Sequence, residues 1–288
     1  MNLGDWQRAG EYLDCAGHRI FFRRAGSGDA MLCIHGFPTA SWDWHRLWPE
    51  LTRRFDVIAP DLLGFGFSAK PRGHDYTIAG QVDLIETLLE QLGVASVSIL
   101  AHDYGVSVAQ ELLARRADGV GRESGIRSVT LLNGGLFPEA THPLPIQKLL
   151  KHRVVGPLLG RLLSERMFRR SFSRIFARDH RPSDAELAEF WRLIAHNDGS
   201  RVAHLVSRYQ DERRVYRERW TAALRDTNVP LRLIVGAEDP ISGLTIARRY
   251  RQVVPAPDVV VLEAVGHYPQ VEAPDAVLEA LFAGPAGD

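Results

Sequence analysis

Short, nearly unbroken apolar runs separated by helical stretches constrain this chain more than any other feature. Residues 31–35, 57–61, 96–101, 128–133, 231–236 and 259–262 are such runs, dense in Val, Ile and Leu and bounded by polar or glycine positions. A strand without polar alternation is buried on both faces, so it needs a layer above the sheet and a layer below it. Between two of the runs, residues 77–92 carry Ile78, Val82, Ile85, Leu88, Leu89 and Leu92 at helical spacing, with Gly93 placed to end the helix. This alternation predicts an α/β fold built on a mostly parallel sheet flanked by helices. At the front, residues 12–15 and 19–23 flank Gly17 and His18 and read as a hairpin. No internal repeat is visible.

The chain has 288 residues, 45% of them hydrophobic and 24% charged, which is material for one large core. Cys15 and Cys33 are its only cysteines, so no disulfide framework holds it. Lys and Arg total 35, and Asp and Glu total 35, which excludes the global basic field typical of nucleic-acid binders. Residues 1–8 show neither a basic start before an apolar run nor an Arg/Ser-rich amphipathic pattern, so a cytoplasmic location is expected. The apolar stretch 149–163 is interrupted by Lys151, His152, Arg153 and Arg161, short of the roughly 20 residues a membrane span requires.

Residues 137–224 break the alternation. They are helical in pattern and carry 17 Lys and Arg against 10 Asp and Glu. The expected organisation is therefore a core of residues 1–136 and 225–288, with 137–224 inserted after the sixth strand as a helical cap. Ser183 ahead of Asp184 and Glu186 reads as a capped helix start inside it. The basic surplus is expected to be a solvated surface, with weak attraction to an anionic membrane surface as the sharper alternative.

The chemistry concentrates where strands end. The run 96–101 leads into His102-Asp103-Tyr104-Gly105, and a helix pattern follows. Small residues at 101 and 105 permit a tight strand-to-helix turn that lifts the residue between them to the edge of the sheet. That residue, Asp103, could also be an ordinary helix N-cap. Three other strand ends argue for the functional reading. His35-Gly36-Phe37-Pro38 follows the third strand and could offer the backbone N–H of Phe37, with that of Tyr104, as an oxyanion hole. Asp239 closes a late strand, and His267 follows the last one. The order Asp103, Asp239, His267 is that of nucleophile, acid and base on an α/β-hydrolase sheet. Glu139, beyond the preceding strand, is the alternative acid.

On these motifs the chain resembles an α/β-hydrolase with an aspartate nucleophile, of the epoxide hydrolase and haloalkane dehalogenase group. Residues 61–68, His102-Asp103-Tyr104-Gly105, Asn133-Gly134-Gly135, Asn197-Asp198-Gly199 and His267-Tyr268-Pro269-Gln270 are similar in particular to the mesoderm-specific transcript branch. A carboxylate attacks an electrophilic sp3 carbon without prior activation and forms an alkyl-enzyme ester. His267 would then activate the water that hydrolyses this ester, oriented by Asp239. The expected substrate is a small apolar epoxide or alkyl halide, and no cofactor or metal is implied.

The resemblance also bears on the leaving group. Haloalkane dehalogenases typically carry Trp directly after the nucleophile, where this chain has Tyr104, and fluoroacetate dehalogenases carry Arg there. Epoxide hydrolases use lid tyrosines as proton donors, and Tyr209 is the candidate. The second tyrosine of that pattern is missing between positions 137 and 208, which leaves His142 or His152 as a substitute; Tyr216 is read as a packing residue. Trp42, Trp44, Trp48, Trp191 and Trp220 are assigned to the core or an apolar wall. The expected function is epoxide hydrolysis, with haloalkane dehalogenation as the catalytic alternative and a ligand-binding receptor as the non-catalytic one. Oligomeric state is not legible.

Overall fold

A computed structural model describes residues 1–120 and 125–283. Positions 121–124 and 284–288, assigned above to the core, lie outside the described residues. Eight strands are described: β1 (Glu11–Cys15), β2 (His18–Ala25), β3 (Ala30–Ile34), β4 (Asp56–Pro60), β5 (Ser96–Ala101), β6 (Gly125–Leu131), β7 (Leu231–Gly236) and β8 (Asp258–Leu262). They form one sheet in the order β1-β2-β4-β3-β5-β6-β7-β8. The β1–β2 and β2–β4 pairings are antiparallel and the rest parallel, so the front hairpin caps one edge of a parallel sheet.

The hairpin turn lies one residue earlier than its sequence pattern indicates. Cys15 pairs with His18, leaving Ala16 and Gly17 as a two-residue loop at φ 52° and 79°. Positive φ at both positions is the mirror-image turn that matches strand twist, and it draws His18 into the strand.

Alternate side chains of β3 serve the two sides of the sheet. Leu32 and Ile34 join the apolar layer of Ile78, Val82, Ile85 and Leu88, whereas Met31 and Cys33 join that of Trp48, Leu51 and Val277. The helix Ile78–Gln91 begins where Thr77 Oγ1 accepts the Gly80 N–H at 3.0 Å. It ends at Gly93, whose φ of +68° lets its own N–H and that of Val94 return to the carbonyls of Glu90 and Leu89.

Between β6 and β7 the described residues form only helices and turns. In this helical insertion, Ser183 Oγ accepts the Glu186 N–H while Glu186 accepts that of Ser183, the reciprocal cap its sequence foreshadows. No helix among the described residues is long and apolar enough to cross a membrane.

Candidate active site

At the end of β5 the chain turns sharply into the helix Tyr104–Ala117, and Asp103 sits on the turn at φ 43°, ψ −100°. Such a conformation costs a non-glycine residue on the order of 1–3 kcal/mol and persists only where its surroundings fix it. Here the Asp103 N–H donates to the Asn133 carbonyl at 2.8 Å and the His102 N–H to that of Ile34 at 2.9 Å. A Cβ on Gly105 would lie 2.3 Å from the Ile34 carbonyl oxygen, and one on Gly36 would lie 2.7 Å from His102 Nδ1. The turn therefore closes only with glycine at both places.

Although Asp103 stands at the N-cap position, its side chain makes no capping hydrogen bond. Its carboxylate turns to the centre of the site instead. The Phe37 N–H donates to Oδ2 at 3.1 Å, and His267 Nε2 and Arg213 Nη2 lie 4.0 and 3.7 Å from Oδ1. The ordinary helix-cap reading of this residue fails on that geometry.

His267 and Asp239 are joined by a 2.8 Å hydrogen bond from Nδ1 to Oδ2. Asp239 also accepts from Asn133 Nδ2 at 2.6 Å, Ser242 Oγ at 2.7 Å and the Ile241 N–H at 2.7 Å. Burial alone would raise its carboxyl, but the charge of His267 and these donors bring it down to about 2. For His267, burial opposes the charged form, while Asp239 and then Asp103 favour it and lift its pKa above the ordinary histidine value. Its loop is tied down by Glu272, which accepts from the N–H groups of Ala177, Gly266 and Tyr268. Glu139 is remote from this dyad, pairing with Arg249 at the surface.

The remaining sequence candidates divide. Tyr104 begins the helix, so its N–H is one of the free donors of a helix N-terminus. Its ring packs edge-on against Tyr209, centroids 4.8 Å apart. His35 is structural. Its Nε2 accepts the Leu62 N–H at 3.0 Å, leaving the proton on Nδ1 for the Gly36 carbonyl, and burial pushes its pKa down to about 4. Tyr209 is buried beside Asp103 and contacts Phe37. Neither proposed substitute for the second tyrosine is in the site: His142 and His152 are exposed, and His152 caps the turn at Val154. Tyr216 is half-exposed, its ring tilted against that of Trp220 with centroids 5.6 Å apart.

Three further residues take part whose roles the sequence pattern does not state. Asn133 links the ends of β6 and β7, accepting the Gly236 N–H at 2.7 Å while it donates to Asp239. His102 donates from Nε2 to the His267 carbonyl at 2.8 Å, and burial, with the His267 charge, pushes it down to about 3. Arg213 is a buried guanidinium that donates from Nη2 to the Asp103 carbonyl and from Nε to Ser107 Oγ, both at 2.7 Å, under the Tyr209 ring. Its signal in the sequence is spacing, since Tyr209 and Arg213 are four apart and share a helix face.

Two adjoining cavities meet here, with Gln147 and Ile241 in the walls of both. One reaches Asp103, Tyr209 and Arg213. The other, the larger of the two, runs from Phe37 and His267 along Leu150, Phe168 and Phe172 of the helical insertion. No tryptophan lines either one among the described residues.

An elbow at the end of β5, a His and Asp from later strand ends, and helices over the carboxyl edge define an α/β hydrolase. The α/β-hydrolase fold family matches residues 29–274, and the chain belongs to it. It is 40% identical to the mouse mesoderm-specific transcript protein over 96% of this chain and 86% of that protein. It is also 41% identical to the putative hydrolase LipZ of Mycobacterium tuberculosis, over 97% of this chain and 96% of that one.

Among solved structures, the epoxide hydrolase CorEH superposes with a TM-score of 0.77 at 21% identity, covering 94% of this chain and 96% of that one. The haloalkane dehalogenase DbeA from Bradyrhizobium elkani gives 0.78 at 25% identity, covering 94% and 95%. The fold accommodates both reactions, so a choice between them rests on side chains.

Proposed function

We propose that this α/β hydrolase opens epoxides to vicinal diols through an ester on Asp103. The observation that carries the reading is the Asp103 carboxylate, which is bonded to Phe37 N–H rather than to its own helix and shares a cavity with Tyr209.

In the first step a carboxylate oxygen of Asp103 bonds to a ring carbon of the epoxide, the carbon–oxygen bond of the ring breaks, and Tyr209 gives its proton to the departing alkoxide. Burial, then the Asp103 charge, hold the Tyr209 phenol above its ordinary pKa, so it is protonated and able to donate. Esterification removes that neighbouring charge, which eases ionisation of the phenol as it gives up its proton.

In the second step His267 takes a proton from water, which attacks the Asp103 carbonyl. The Phe37 and Tyr104 N–H groups receive the oxyanion. Collapse releases the diol; one water proton ends on its second hydroxyl and the other restores Tyr209. Arg213 anchors the turn that carries Asp103, and Asn133 with Ser242 holds Asp239 for its work on His267. We assign the reaction to the cytoplasm and residues 137–224 to a cap over the site.

Haloalkane dehalogenation is the second reading. It shares the ester, but a departing halide needs N–H donors, and Arg213 Nη2 beside Asp103 is the group that could serve. A receptor role is disfavoured because ligand binding alone gives no reason to assemble the His267–Asp239 pair. The test is product analysis with terminal epoxides and with chloroalkanes and bromoalkanes. Diol formation without halide release is expected, and Tyr209→Phe should lower it by about 10²-fold or more. Halide release that survives Tyr209→Phe would reverse the assignment.

A further inference from the structure

Six of the eleven large apolar side chains exposed among the described residues fall within 149–167: Leu149, Val154, Val155, Leu158, Leu162 and Met167. The helix at the middle of this stretch, Val155–Leu162, is turned the opposite way from an ordinary amphipathic one. In Val155–Leu162 the buried positions are Gly156 and Gly160, while Val155, Leu158 and Leu162 face outward. The glycines are pressed so closely to the body that a Cβ on Gly156 would lie 2.1 Å from the Leu150 carbonyl oxygen, and one on Gly160 2.6 Å from that of Ser200. Rotating the helix to hide its leucines would drive Leu and Val into space that admits only glycine. Its apolar stripe is thus held outward by packing.

The charge around the stripe indicates what covers it. Residues 145–172 contain seven Lys and Arg and one acid, Glu165. Lys151 pairs with Asp211, and Arg169 with Glu165 and Asp184. Lys148, Arg153, Arg161, Arg166 and Arg170 are exposed, and the ion pairs found among the described residues include none of them. A second copy of this face would bring like charges together around the apolar contact, and a nucleic acid would leave the leucines uncovered. An anionic bilayer offers acyl chains to the stripe and headgroup phosphates to the cations.

We infer that the face formed by residues 145–170 docks on the surface of an anionic lipid bilayer, lying in its interface. The inner sides of the same helices, at Leu150, Phe168 and Phe172, wall the larger cavity that reaches His267. If the proposed epoxide chemistry holds, an apolar substrate partitioned in the bilayer would lie beside that cavity; the docking itself does not depend on the reaction.

The test is co-sedimentation of the full chain with vesicles of phosphatidylcholine alone or mixed equally with phosphatidylglycerol, at low and high salt. We expect at least about tenfold stronger binding to the mixed vesicles at low salt, weakened at high salt. Leu158→Ser with Leu162→Ser, and separately Arg161→Glu with Arg166→Glu, should each reduce binding about fivefold or more. Thermal melting like that of the parent would establish that these variants are folded. As a readout independent of them, an environment-sensitive fluorophore on Leu158→Cys should shift to the blue on mixed vesicles. Equal, weak binding to both vesicle types with no blue shift overturns the inference. So does a dimer in sedimentation velocity that Leu158→Ser dissolves while vesicles are ignored, because a second copy would then be the cover. Loss of hydrolase activity toward every epoxide would overturn the proposed reaction and leave the vesicle result standing.

Discussion

Asp103 is approached from two sides by parts of the molecule that are built differently. From the sheet come Phe37 after β3, Asn133 after β6, Asp239 after β7 and His267 after β8, each placed by a strand end and joined by hydrogen bonds of 2.6 to 3.1 Å. From the helical insertion come Tyr209, Arg213 and most of the apolar wall, placed by packing of short helices. The difference separates the tasks. The sheet edge carries groups suited to making and hydrolysing an ester, whereas the insertion carries groups suited to choosing the leaving group and the substrate's shape. Hydrogen bonds join the two halves at the site, from Arg213 to Asp103 and Ser107, from the His267 N–H to the Ile175 carbonyl, from the His142 N–H to the Ile241 carbonyl and from the Ala177 N–H to Glu272, beside ring contacts of Tyr209 with Phe37 and Tyr104 and of Phe172 and Phe176 with Tyr268.

The largest effect expected from breaking the sheet side comes from Asp239→Asn. Ester hydrolysis should slow by about 10³ to 10⁴-fold, because an amide supports the wrong imidazole tautomer and does not stabilise its cation. The sign of the pH effect follows from the same pair. His267 works as a base only when neutral, and its raised pKa means that hydrolysis comes in above the ordinary histidine range as pH rises. Asp239→Asn removes the main cause of that lift, so the rising limb should move to lower pH. Single-turnover decay of the ester across pH checks both expectations, and an unmoved limb would assign the titration to another group.

Cutting a link between the halves should cost less. Arg213→Met leaves the Asp103 carbonyl and Ser107 Oγ without their partner in a buried place and should destabilise the fold by roughly 3 kcal/mol. Arg213→Lys restores a charge without the planar fork, so it should recover part of the stability but not the activity. Thermal melts with rate measurements on the two variants separate anchoring of the turn from mere burial of a cation. Equal activity in wild type and Arg213→Lys would make the fork dispensable. The smallest effect lies wholly within the insertion: Ser183→Ala removes one helix cap and should cost about 1 kcal/mol, with little change in rate. A large rate loss there would show the two halves to be more tightly coupled than their contacts suggest.

The same division governs what the sequence could reveal. Asp103, Asp239 and His267 were legible because a strand run fixes where its last residue emerges, and three such ends point to one edge. The hairpin was misread by one residue because Ala16 takes the positive φ that a glycine usually signals. Arg213 was not legible as a buried residue. It stands beside Arg214, which is exposed and pairs with Asp211, and composition does not distinguish two neighbouring arginines that tertiary packing sends in opposite directions. His142 and His152 show the converse, being chemically suitable as donors but carried on exposed connecting segments. The glycine face of Val155–Leu162 also eludes hydropathy patterning, which assigns leucines to the interior and glycines to turns.

The proposed reaction stands on a covalent ester at Asp103 whose hydrolysis needs His267. The most direct measurement is the intact mass of His267→Gln protein after incubation with a terminal epoxide, beside His267→Gln carrying Asp103→Asn. The expected result is a gain equal to the mass of the epoxide, located on the peptide containing Asp103 and missing from the double variant. Diol formation by His267→Gln at the wild-type rate, or an adduct that persists without Asp103, would contradict it.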